Sequence, residues 1–68
     1  MSVTILEALE NAEHNLTNLS KLPMLLPLIA EQLHNAIALL EKGYSINDEV
    51  EPLLEKYGTI EDVPDHLG

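Results

Sequence analysis

Cysteine is absent from this 68-residue chain, and only three glycines occur. Without thiols, neither a disulfide nor a thiolate metal site can hold the fold together. Gly43 and Gly58 follow apolar segments as helix stops do, so no glycine-rich phosphate-binding loop is available. The few serines and threonines stand mainly at helix starts, which leaves no activated nucleophile. We therefore expect a protein that is not an enzyme and that has no cofactor.

Positive charge is also scarce, since three lysines and no arginine stand against twelve carboxylates and give a net charge of −9. Such a surface repels phosphate backbones and anionic lipid headgroups, which argues against direct binding of nucleic acid or of a membrane. The charge is −3 over residues 1–20, zero over residues 21–44 and −6 over residues 45–68. Acidic ends thus flank a neutral middle.

The neutral middle contains an apolar stretch, Leu22 to Leu40, with ten large aliphatic side chains and three alanines. Pro27, Glu31 and His34 interrupt it, which makes it a poor match to a membrane span of about 20 apolar residues. The first twenty residues contain three glutamates and no lysine or arginine, unlike a signal peptide. We expect a cytoplasmic protein without a membrane segment.

Local signals predict a first helix over residues 5–20. Thr4 and Glu7 have the spacing of a capping box, in which each side chain accepts the backbone N–H of the other residue. The apolar residues that follow are spaced 4-3-4-3, as on one face of an amphipathic helix: Ile5, Leu9, Ala12, Leu16 and Leu19. Pro23 then disfavours helix at the residue before it.

A second helix is predicted over residues 24–42, with Gly43 as its left-handed C-terminal residue. The predicted inward stripe is spaced 3-4-3-4 and consists of Leu26, Ile29, Leu33, Ala36 and Leu40. The short connection to the first helix favours an antiparallel hairpin. More apolar residues lie on both sides of the stripe, so the second helix is expected to expose apolar surface that the first cannot cover.

Beyond Gly43 the sequence nearly repeats, since residues 39–48 (LLEKGYSIND) correspond to residues 53–62 (LLEKYGTIED). Each copy has a helix end, a glycine stop, a hydroxyl cap and an acidic first turn. A short third helix is predicted over residues 49–57, in a single domain of residues 1–58 followed by an acidic tail of residues 59–68. The predicted fold class is all-α: an antiparallel helical hairpin plus a short third helix.

A chain of this length builds a thin core, and the surplus apolar surface favours burial between two chains. We expect a homodimer in which two hairpins form a helical bundle with two-fold symmetry. The leading functional hypothesis is a non-catalytic interaction or assembly module. The contact, with a second copy or with another protein, is assigned to the second helix at Leu22, Leu25, Leu26, Leu28, Ile29, Leu33 and Ile37.

The acidic C-terminal third supports an alternative function. A row of carboxylates can imitate phosphates and occupy the basic groove of another protein, as in the small acidic inhibitors of phages and mobile elements. The candidate acidic surface consists of Asp48, Glu49, Glu51, Glu55, Glu61 and Asp62. The simpler interpretation is that these carboxylates favour a helix start and keep an apolar protein soluble.

A second alternative is a metal site at Glu31 and His34. Their i, i+3 spacing directs both side chains to one side of a helix, as in the di-iron carboxylate bundles. The pair lies on the polar side of the second helix, however, where a solvated surface is the simpler explanation.

Overall fold

The computed structural model describes residues 2–66 of the chain. Over these residues it contains three α-helices and no β-strand, and its helices are α1 (Ile5–Leu16), α2 (Leu22–Glu41) and α3 (Val50–Tyr57). Two short 3-10 turns, Leu19–Lys21 and Ile60–Asp62, follow α1 and α3. The all-α prediction is confirmed.

The start of α1 is held by the predicted capping box. The Thr4 hydroxyl accepts the Glu7 N–H at 3.1 Å, and the Glu7 carboxylate accepts the Thr4 N–H at 3.1 Å. Two more first-turn N–H groups, those of Ile5 and Leu6, donate to the carbonyls of Asp48 and Ile46 at 2.9 Å. Because a helix start leaves four N–H groups without intrahelical partners, these bonds fix α1 against the loop before α3.

The end of α1 was predicted four residues too late. The Thr17 hydroxyl donates to the His14 carbonyl at 2.6 Å, and Asn18 leaves the helical region with φ −90° and ψ 77°. Short polar side chains that bond nearby backbone compete with helix in this way. The hydroxyl of Ser20 then donates to the Asn18 side chain at 3.2 Å within the connecting turn.

The helix α2 begins at Leu22, two residues before the predicted start. Pro23 occupies its first turn, where the missing N–H costs nothing because no intrahelical partner exists there. Pro27 lies inside the helix and removes one bond, to the carbonyl of Pro23. Both prolines are exposed, so water can solvate that carbonyl.

Gly43 ends α2 with φ +96°, as predicted. The Tyr44 N–H donates to the Leu39 carbonyl at 3.1 Å and the Gly43 N–H to the Leu40 carbonyl at 3.0 Å, which is a Schellman motif. Gly58 follows α3 with φ +89°, and its N–H donates to the Leu54 carbonyl at 2.7 Å. The two copies of the repeat thus end their helices by related bonds.

The core lies where α1, α2, α3 and the residues after α3 meet. Its largest fully buried side chains are Ile5, Leu39 and Val63. The small residues Ala8 and Ala36 lie in the same cluster, which allows the helices to approach closely. The buried cluster is completed by Val50 and Ile60.

Residues 59–66, which belong to the predicted acidic tail, pack against the helices. Ile60 and Val63 are only 5% and 1% exposed. The Tyr44 hydroxyl donates to the Pro64 carbonyl at 3.1 Å, and the His66 N–H donates to the Lys42 carbonyl at 2.6 Å. Residues 59–66 therefore cover part of the C-terminal half of α2.

The inward side of α2 is rotated from the predicted stripe. Ile29 and Ala36 are buried as expected, but the third buried residue is Leu39. Leu26 and Leu40 remain 51% and 37% exposed. The physical reason is that α1 covers one side of α2 while Ile60 and Val63 cover the next, so the centre of the buried surface lies between them.

Candidate interaction surface

An exposed apolar stripe follows α2 on the side that was predicted to face the core. Its members are spaced 4-3-4-3, so they lie one above another on a helix of 3.6 residues per turn: Leu26, Ala30, Leu33, Ile37 and Leu40. Leu26 and Ile37 are each about half exposed, Ala30 is exposed and Leu33 is half-buried. This outer stripe contains no charged residue.

The apolar surface continues from the outer stripe onto neighbouring elements. On α1, Leu6 and Leu16 are 39% and 45% exposed, and Leu9 between them is half-buried. Ile46 is 42% exposed, and its carbonyl accepts the Leu6 N–H. We call the outer stripe together with Leu6, Leu9, Leu16 and Ile46 the exposed apolar face.

The two copies of the internal repeat differ in whether their isoleucine is buried. Ile46 in the first copy corresponds to Ile60 in the second. Ile60 is 5% exposed because it packs into the core, whereas Ile46 is 42% exposed. The same local motif therefore buries its isoleucine in one copy and presents it to solvent in the other.

The residues predicted to make a partner contact do not all lie on this face. Leu26, Leu33 and Ile37 belong to the outer stripe, and Leu22 lies one turn before it. Leu25 is half-buried, and Ile29 is buried at 3% exposure.

Leu28 is 44% exposed but lies on the other side of α2. Successive residues are about 100° apart, so it points nearly opposite to Leu26. Sequence reasoning missed the contribution of Leu40 to this surface, because Leu40 was assigned to the core. It also missed Leu6, Leu16 and Ile46.

The segment Leu19–Glu41 is also long and apolar enough to cross a membrane by length and composition, since an 18-residue window within it has a mean hydropathy of 1.2. Only Ile29, Ala36 and Leu39 of α2 are fully buried within the chain. The core helix of a small soluble protein passes the same test of length and composition, so the finding is weak evidence.

Three of the six candidate acidic residues make hydrogen bonds within the chain. Asp48 accepts the Ser45 N–H at 2.7 Å, and Glu51 accepts the Val3 N–H at 3.4 Å. Glu61 pairs with His34 at 3.2 Å. Of these three, Glu51 and Glu61 remain exposed to solvent. The other three carboxylates are also exposed: Glu49, Glu55 and Asp62.

His34, a member of the candidate Glu31–His34 metal pair, makes a hydrogen bond across the fold to Glu61. His34 Nε2 lies 3.2 Å from Glu61 Oε1, and both side chains are well exposed. A backbone hydrogen bond of Glu61 and the His34 side chain hold the pKa of the Glu61 carboxyl below its usual range. Within residues 2–66, no group of three His, Asp or Glu side chains could hold a metal ion.

Two surface depressions flank the helices. An open cleft of about 370 Å³ lies between the C-terminal half of α2 and the residues after α3, bordered by His34, Lys42 and Asp65. A smaller one of about 140 Å³ is lined by Val3, Asn11, Gln32 and Asn35. The first combines charges of both signs and the second is mainly amide and aliphatic. Neither brings together a nucleophile, a base and an oxyanion donor.

Comparison of the chain with protein-family models, with curated proteins and with solved structures finds no match. On the surface of the chain itself, the exposed apolar face brings together most of the large hydrophobic side chains that remain exposed.

Proposed function

We propose that this protein is a non-catalytic assembly module, which self-associates through the exposed apolar face. In this proposal α1 and α2 form an antiparallel hairpin, and two hairpins pack face to face into a dimeric helical bundle. The observation that carries the proposal is the 4-3-4-3 outer stripe, which continues onto α1 and the loop at Ile46. Contiguous apolar patches of more than a few hundred Å² mark interaction sites on soluble proteins.

The hairpin geometry is supported by the pairing of positions along the two helices. Asn15, near the end of α1, donates to the Gln32 side chain at 3.4 Å. Ala8, near the start of α1, lies in the core cluster with Ala36, one turn further along α2. Later positions on α2 are thus matched with earlier positions on α1, as in an antiparallel pair.

Charge favours a second copy at this face rather than elsewhere. The chain carries −9 in total, but residues 21–44 are neutral and the outer stripe contains no charge. Two copies that met through their acidic segments would repel each other, whereas contact through α2 keeps most carboxylates away from the interface.

The size of the face suits a weak dimer. A helix of 20 residues is about 30 Å long, and a neighbouring helix axis lies about 8–10 Å away. The surface between the two axes therefore measures about 240–300 Å² per copy, about half of the roughly 600 Å² per partner of the smallest stable interfaces.

The strength of the association follows from how far these side chains are already buried. Completing the burial of a half-exposed leucine or isoleucine contributes about 1 kcal/mol, half the value for a whole side chain. About a dozen such side chains on two copies would offset an association cost of about 4–15 kcal/mol. We therefore expect a dissociation constant in the micromolar range or weaker, about 8 kcal/mol or less.

The test is molar mass by light scattering over a dilution series from about 1 µM to 1 mM, which covers free energies of about 4–8 kcal/mol. We expect a monomer–dimer transition in the wild type and a monomer throughout for Ile37→Asp. Leu28→Asp is the matched control, because Leu28 is 44% exposed and Ile37 is 48% exposed, on different sides of α2. Circular dichroism verifies that both variants keep their helices.

A monomeric wild type at every concentration would contradict the proposal, as would equal dimerisation of the two variants. Flotation with neutral phosphatidylcholine vesicles tests whether the exposed apolar face binds a lipid surface instead. A monomer that binds these vesicles, and loses binding in Ile37→Asp, would assign the face to a lipid surface instead.

A further inference from the structure

We infer that the second copy docks antiparallel, with α2 lying against α2 and the two-fold axis passing between Glu31 and Gln32. This inference rests on the proposed self-association and adds the direction and register of the two chains. Its basis is the distribution of side-chain size along the outer stripe and of charge along the chain.

The outer stripe has the spacing of a heptad seam, with Leu26, Leu33 and Leu40 at one core position. Ala30 and Ile37 occupy the other core position, together with Pro23 in the first turn. In an antiparallel pair each position of one kind faces a position of the other kind, whereas in a parallel pair equal positions face each other. The two arrangements therefore bring side chains of different sizes face to face.

Size complementarity favours the antiparallel pair. With the axis between Glu31 and Gln32, the small Ala30 faces Leu33 of the second copy, and Ile37 faces Leu26 of the second copy. In the parallel pair Ala30 would face Ala30, leaving a gap in the middle of the seam. Cores are packed densely when large and small residues alternate across facing positions.

The charge distribution favours the same direction. Residues 45–66 carry −6, and Ile60 and Val63 among them join the core with Leu39 in the C-terminal half of α2. A parallel pair would place the two acidic segments side by side. An antiparallel pair places them at opposite ends of a helix about 30 Å long, beyond the screening length of about 8 Å at physiological salt. The dipoles of the two α2 helices also run in opposite directions in this arrangement, so the positive end of each helix lies near the negative end of the other.

The absence of cysteine makes a disulfide test clean, because every introduced thiol is unique. Leu26→Cys and Ile37→Cys are mixed in equal amounts and oxidised at a concentration where light scattering shows a dimer. We expect the mixed Leu26→Cys with Ile37→Cys disulfide to exceed both homodisulfides by several-fold. In a parallel pair those two positions are offset by 11 residues, about 16 Å along the helix, and homodisulfides would dominate.

A second measurement does not alter the interface. Lys21→Cys carries a nitroxide label at the exposed start of α2, away from the outer stripe. In the antiparallel pair the two labelled positions are about 30 Å apart along the helix axis, and in a parallel pair they are about 10 Å apart, the spacing of neighbouring helices. Pulsed electron paramagnetic resonance separates these distances.

A short Lys21→Cys distance in a protein that dimerises, or dominant homodisulfides, would overturn the antiparallel register and leave self-association standing. A protein that stays monomeric at all concentrations would remove both proposals. The two failures are thus distinguishable by mass.

Discussion

Gly43 combines two demands that only glycine meets in this chain. Its φ of +96° lies in the left-handed region, and a Cβ placed on it would be 2.8 Å from the His66 carbonyl oxygen. The segment after α3 closes over this position because the His66 N–H bonds the Lys42 carbonyl and the His66 ring stacks on Tyr44 at 4.7 Å. A side chain here would disturb both the helix end and the segment that covers Leu39.

Gly43→Ala is therefore expected to lower the free energy of unfolding by about 1–2 kcal/mol from the left-handed backbone alone. Displacement of the His66 backbone adds to that loss. Gly58→Ala tests a positive φ without a close neighbour, because Gly58 has φ +89° and ψ −58° and nothing lies within 4 Å of its added Cβ. Urea unfolding measures both losses, and a loss for Gly43→Ala of no more than about 1–2 kcal/mol would show that the contact with His66 contributes nothing.

At the scale of single elements, the helix ends that have a strong capping signal were more predictable than the sides that the helices bury. The start of α1 follows from Thr4 and Glu7, and the end of α2 from Gly43, because such signals act within four residues. The inward side of α2 depends on residues far away in the sequence. The outer stripe and the buried positions Ile29, Ala36 and Leu39 both have helical spacing. Only the places where α1 and the last segment pack decide which of the two sets is buried.

The last segment was missed because its apolar content is small. Ile60 and Val63 are two apolar residues among several carboxylates, too few for a periodic pattern. The repeat offered a signal, because Ile60 stands where Ile46 stands in the first copy. Repetition alone does not say which copy is buried, and here only the second isoleucine reaches the core.

The capping box provides an element-scale prediction. Thr4→Ala removes the oxygen that accepts the Glu7 N–H, and we expect the free energy of unfolding to fall by about 1 kcal/mol. Thr4→Ser keeps that oxygen and is expected to remain close to wild type. Urea unfolding followed by circular dichroism checks both variants. If Thr4→Ser lost as much as Thr4→Ala, the loss would belong to the methyl group of Thr4 rather than to the cap.

At the scale of the whole molecule, the acidic ends and the neutral apolar middle affect association in different ways. The charge opposes the approach of any second copy over long distances, while the exposed apolar face stabilises the contact once it forms. Association with a basic protein would instead be favoured by the same carboxylates, because they attract its positive charge. Salt therefore distinguishes the assembly module from the acidic inhibitor.

Between about 0.01 M and 1 M salt the screening length falls from about 30 Å to about 3 Å. We expect sodium chloride to lower the dimer dissociation constant several-fold across this range, because it screens repulsion between two copies of net charge −9. The triple variant Glu49→Gln, Glu55→Gln, Asp62→Asn removes three exposed carboxylates from each copy. It is expected to dimerise more tightly than wild type at low salt and to show a smaller salt dependence. Light scattering at each salt concentration measures both effects, and a dimer that weakened as salt was added would contradict association through a neutral face.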